Sequence, residues 1–114
     1  MYYELSKSEK KIARVLIDRG VESDKIAALE QTEKILADWK EGKIDLVSAY
    51  QKVIQNGEEW DQKIARRYDR LGGSRWLAVI AAIYVDGQIT EDDIAGFSEK
   101  TKQVFYTIVS LLQM

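Results

Sequence analysis

Four arginines fall within the thirteen residues IARRYDRLGGSRW, residues 64–76, and a lysine stands just before them. On a continuous helix Lys63, Arg66, Arg67 and Arg70 recur at i, i+3, i+4 and i+7, so they share one face. Arg75 follows across the turn Gly72-Gly73-Ser74. That turn leads into a helix start, where unpaired N–H groups and the helix dipole favour an anion. Arginine suits such a place because its planar fork meets a carboxylate or phosphate with two hydrogen bonds at once. Trp60, Tyr68 and Trp76 add rings on which a base or a guanidinium can stack. The chemistry on offer is recognition: of an acidic protein surface or, as the alternative, of a phosphate, a nucleotide or a nucleic acid. Against a phosphate grip, Asp61 and Asp69 are close enough to pair with the arginines, and basic residues near a helix C-terminus also complement its dipole. The turn moreover lacks the lysine and adjacent hydroxyl of a phosphate loop.

A second stretch, DGQITEDD at residues 86–93, has the look of the back half of a calcium-binding loop. In that register Ala82 and Tyr84 would occupy the first two ligand positions, where neither can chelate, and Asp93 is too short for the bidentate closing glutamate. A helix stop at Gly87, a cap at Thr90 and acidic residues in the following first turn account for the same letters. No metal site is expected there. Glu58, Glu59 and Asp61 could be named as a carboxylate pair for glycoside chemistry, but acidic residues on a helix are ordinarily a solvated face.

The chain holds no histidine and no cysteine. Serine–histidine and cysteine–histidine nucleophiles are therefore excluded, and so are the common zinc sites. Neither an enzyme nor a bound cofactor is expected. A net charge of -2, with both signs intermixed, argues against non-specific nucleic-acid binding, which uses a basic domain or stripe. The opening residues Met1-Tyr2-Tyr3-Glu4-Leu5-Ser6-Lys7 offer none of the roughly 7–15 apolar residues of a secretory signal, which points to the cytoplasm. The longest apolar run, Trp76 to Val85, is half of the roughly 20 residues that a membrane span needs.

The elements that must position these residues all read as helices. A length of 114 residues suits a single domain, residues 1–114, and proline is absent throughout. Four similar strings, RGVES at 19–23, EGKID at 41–45, DGQIT at 86–90 and AGFSE at 95–99, each place a glycine before a Ser, Asp or Thr. The pattern is a helix stop followed by a helix start. Helices are accordingly expected at about 6–19, 23–41, 45–71, 75–86, 90–95 and 98–112. The third is expected to run through Asn56-Gly57, because the 3–4 spacing of Leu46, Tyr50, Val53, Gly57, Trp60 and Ile64 keeps its phase. No segment alternates at period two, so no sheet is expected. The helix at 75–86 is apolar nearly all round and belongs at the centre of a compact, all-α bundle of five or six helices.

The function this predicts is non-catalytic: a helical binding or regulatory protein acting by protein–protein contact, as immunity, inhibitor and adaptor proteins of this size do. Lys63, Arg66, Arg67, Arg70 and Arg75 are its expected charged face, and Gly72, Gly73 and Ser74 a weaker anion-binding turn. The closing stretch VFYTIVSLLQM has apolar residues on more than one side, including Tyr106 and Val109. That makes the last helix a candidate surface for homo-oligomer contact.

Overall fold

The computed structural model describes residues 3–69, 71–72 and 75–114. Among them are four α-helices: α1 (Lys7–Lys40), α2 (Leu46–Tyr68), α3 (Trp76–Val85) and α4 (Glu99–Leu112), with a 3-10 turn at Glu91–Ile94. No strand occurs among the described residues. None of the helices described is long and apolar enough to cross a membrane.

The helix count corrects the expected five or six. The first two expected helices are one, because RGVES does not break α1. The reason lies at Gly20. A Cβ there would sit 2.7 Å from both the Ile83 Cδ1 and the Tyr68 hydroxyl. Glycine at this position serves close packing, not a turn, and the helix formers Ala27 to Gln31 carry the helix onward. The joints at EGKID and DGQIT are real. Gly42 and Gly87 have φ of 77° and 79°. At the first, the Gly42 N–H reaches the Trp39 carbonyl (3.0 Å) and the Lys43 N–H the Asp38 carbonyl (2.8 Å). The second repeats this pair, Gly87 to Tyr84 and Gln88 to Ile83. Both are left-handed glycine stops that satisfy the last free carbonyls of a helix.

The chain divides into two compact units, one of residues 1–21 and 68–114, the other Glu22–Arg67. The first unit holds the apolar core, built from Leu16 and Ile17 of α1, Leu77, Ile80 and Ile83 of α3, and Phe105 and Val109 of α4, with Ile89, Ile94 and Phe97 between the helices. Tyr84, Phe105 and Tyr106 stack edge to face, with ring centroids 5.1–6.4 Å apart. Helix α3 buries five of its ten residues, while Ala78 and Val85 stay exposed. Its five buried residues belong to the core of this unit.

Polar staples close the unit. Ser6 and Glu9 cap α1 reciprocally: the Ser6 N–H donates to Glu9 Oε1 (3.1 Å) and the Glu9 N–H to Ser6 Oγ (3.2 Å). The other Glu9 oxygen accepts the N–H of Ser98, the cap residue of α4, at 3.0 Å. One buried carboxylate thus ties two helix starts together. Burial by itself pushes the Glu9 carboxyl up. Hydrogen bonds from the Thr101 hydroxyl, the Ser98 N–H and Ser6 outweigh it and bring the pKa from 4.5 down to about 2. Asp93 accepts from the Thr90 N–H (2.8 Å) and from Arg19 (2.6 Å), and both hold its carboxyl below the usual range.

Candidate functional site

The second unit is a hairpin of two helices. Residues 41–45 join the end of α1 to α2, and Asp45 caps α2 by accepting the Ser48 N–H at 2.7 Å. Asn56 lies beside Ala28 and Thr32, Trp60 beside Gln31, and Arg67 beside Asp24. Rising numbers on α2 meet falling numbers on α1, so the two helices run antiparallel. The seam between them is polar at its centre. The Asn56 amide donates to the Ala28 carbonyl (3.2 Å) and to Thr32 Oγ1 (3.1 Å), and Trp60 Nε1 donates to Gln31 Oε1 (2.8 Å). Helix α2 passes through Gly57 unbroken, as the spacing predicts, and the Asn56-Gly57 pair belongs to the seam and its edge.

The hairpin has two unlike sides. On one, a cavity of about 350 Å³ lies between Lys25, Leu29 and Thr32 of α1 and Gly57, Trp60 and Asp61 of α2. On the other, Ile35 meets Lys52, Gln55 and Glu59. The Gly57 side of α2 continues at 3–4 spacing through Ile54, Tyr50 and Val47, and the Leu29 side of α1 through Leu36. These side chains do not find partners. Leu29, Leu36 and Trp39 of α1 and Leu46, Val47, Tyr50 and Ile54 of α2 are 39–71% exposed. Between Glu22 and Arg67 the one buried apolar residue is Ala49; Asp24 and Asn56 are the buried polar ones.

The basic residues expected to form one face are divided. Lys63, Arg66 and Arg67 lie on the last turns of α2 in the hairpin, and Gly72 and Arg75 belong to the other unit. Lys63 rests over the Trp60 ring, Nζ 4.5 Å from its centre. Arg66 is exposed. Arg67 turns inward, with its guanidinium 3.7 Å from the carboxylate of Asp24, which is 1% exposed. Arg67 therefore serves the hairpin seam, which leaves an anion grip one arginine short. The Arg75 N–H donates to the Gly72 carbonyl at 2.9 Å, and both residues are exposed. Arg70, Gly73 and Ser74 lie outside the described residues. On α4, Val109 is buried, while Tyr106, Leu111 and Leu112 are exposed.

The 3–4 spacing of Leu29, Thr32, Leu36 and Trp39 is that of a core stripe, yet its three apolar side chains stay open. The signal was present in α2. Its apolar residues occupy two adjacent stripes, Ala49-Val53-Trp60-Ile64 and Val47-Tyr50-Ile54, and one partner helix covers a single stripe. No protein-family model, no curated protein and no solved structure matches the chain.

Proposed function

We propose that the chain is a non-catalytic helical binding protein that acts by protein–protein contact, with the hairpin Glu22–Arg67 as its contact surface. The observation that carries this reading is the hairpin's exposed apolar surface: eight large side chains, Ile26 among them, are open to water on an element that buries one apolar residue of its own. Apolar patches of this extent on small proteins are interaction surfaces. Arg66 and Lys63 stand at the end of α2 as a charged margin, where they steer and select a partner more than they hold it. Arg67 belongs to the scaffold.

The test is affinity capture on the wild-type chain and on Leu29→Ser/Tyr50→Ser/Ile54→Ser, with mass spectrometry of whatever is retained. All three positions are exposed, so the variant keeps the helical signal and melting profile of the first unit. Specific protein retention that the triple variant loses is the expected result. Retention that the triple variant keeps in full refutes the hairpin as the contact surface. Binding of nucleotide or nucleic acid that falls steeply with salt, and is lost in Arg66→Glu, moves the assignment to the anion-binding reading.

A further inference from the structure

We infer that the occupant of the hairpin's apolar side is a second copy of this chain, the two hairpins stacking face to face as a four-helix bundle. The inference rests on the reading of this side as a contact surface and names what covers it.

Area gives the first reason. Burying a Leu, Ile or Val side chain removes on the order of 100 Å² of apolar surface from water, at about 25 cal/mol per Å². The seven large side chains of this side together amount to roughly 700 Å² per copy, close to the roughly 800 Å² that each partner contributes to a stable interface. A two-helix hairpin that buries little beyond Ala49 needs such a cover whenever it is folded. A second hairpin of the same length supplies it, because four antiparallel helices close a core that two cannot.

Charge gives the second. On this side Lys25 of α1 and Asp61 of α2, opposite in sign, line one cavity, and Glu58 borders Ile54. A twofold axis parallel to the helices lays α1 of each copy on α2 of the other, antiparallel, with turn beside turn. The register of the hairpin puts Lys25 near the level of Asp61, where both line one cavity. The same axis brings Lys25 of each copy to Asp61 of the other. Leu36 and Trp39 then meet Val47 and Tyr50, and the apolar turn ends cover one another. The arrangement is isologous and closed, so it ends at the dimer.

The experiment is sedimentation equilibrium of the full chain over a wide concentration range, with far-UV circular dichroism of every variant. The expected species has twice the 13.1 kDa of one chain. Leu29→Lys/Ile54→Lys places four charges in the closed face and weakens the dimer by at least about a hundredfold, leaving a monomer in which the first unit keeps its helical signal. Lys25→Glu alone and Asp61→Lys alone each weaken it several-fold with circular dichroism unchanged, and mixing the two single variants restores a heterodimer, an outcome that a pair within one copy does not produce. A wild-type chain that stays monomeric at the highest soluble concentration overturns the inference. If that monomer still captures a protein through Leu29, Tyr50 and Ile54, the contact reading survives with a different occupant; if it captures nothing, both readings fall. A dimer indifferent to the hairpin substitutions but lost on changing Tyr106, Leu111 and Leu112 also overturns it, and places the interface on α4.

Discussion

Glu9→Gln is the most informative single change to the first unit. The wild-type carboxylate accepts hydrogen bonds from the Ser6 N–H on one oxygen and from the Ser98 N–H on the other. An amide offers one acceptor and, on its other side, a donor, so one of the two helix starts must face N–H to N–H. The carboxyl titrates at about 2 in the folded chain against an ordinary value of 4.5. That difference sets a ceiling of about 3 kcal/mol on what ionised Glu9 contributes. Glutamine keeps part of the hydrogen bonding, so a loss of about 2 kcal/mol is expected near neutral pH, or about 8 °C in Tm for a chain of this length. The pH dependence carries a sign. Because the folded pKa lies below the unfolded one, the stabilisation is full above about pH 5 and fades as pH falls through 4.5 toward 2. Urea unfolding of both proteins, followed by circular dichroism and by exchange of the Ser98 and Thr101 amides, measures the gap at pH 7 and at about pH 3. The gap should shrink by more than half at the lower pH. A gap that is the same at both, or below about 0.5 kcal/mol at pH 7, refutes the view that this carboxylate staples α1 to α4.

Three further outcomes are expected. Gly20→Ala destabilises the first unit by about 1–2 kcal/mol, because overpacking against Ile83 and Tyr68 outweighs a helix-propensity gain of about 1 kcal/mol. Ile83→Val, which deletes one of the two atoms at 2.7 Å, restores part of that loss in a double-mutant cycle, whereas Gly42→Ala costs about 1 kcal/mol through its positive φ and gains nothing from Ile83→Val. Arg67→Met lowers hairpin stability by about 2 kcal/mol or more, since it takes the guanidinium away from buried Asp24, while Arg66→Glu shifts it by less than about 0.5 kcal/mol; chemical denaturation of the two separates a scaffold arginine from a surface one. Asn56→Leu raises resistance to urea by about 1 kcal/mol but broadens a single sedimenting species into several, because the seam loses the group that fixes its register.

The sequence displayed its helices more clearly than it displayed their boundaries, and glycine shows why. EGKID, DGQIT and RGVES carry the same local signal, a glycine ahead of a capping residue. At the first two the backbone takes the left-handed turn that glycine permits. At the third, Gly20 stays helical because Ile83 and Tyr68, distant in sequence, occupy the space that a side chain would fill. Local pattern cannot separate the two uses, since the deciding atoms arrive only with the tertiary fold. The same holds for Ser23-Asp24, which has the composition of a helix cap. Asp24 is instead a buried partner of Arg67, and that second use appears only once α2 has folded back along α1.

Much the same limit governs the candidate site. Spacing put Lys63, Arg66 and Arg67 on one stretch of helix correctly, because i, i+3 and i+4 positions on a helix are neighbours wherever the helix goes. What spacing could not supply is the direction in which that surface faces. Arg67, one residue beyond Arg66, is turned from solvent to the seam by about 100° of helical rotation, and this alone converts it from a recognition group into an internal counter-ion. The apolar side of the hairpin was hidden by the converse error. Leu29, Leu36 and Trp39 satisfy every rule for a core stripe, and core is what such a stripe becomes when something covers it. In one copy of the chain nothing within the hairpin does. A pattern that specifies burial on a surface that a single copy leaves open is best understood as half of an interface. Under the proposed dimer its complement is a second hairpin, which carries the same exposed side chains in the antiparallel direction.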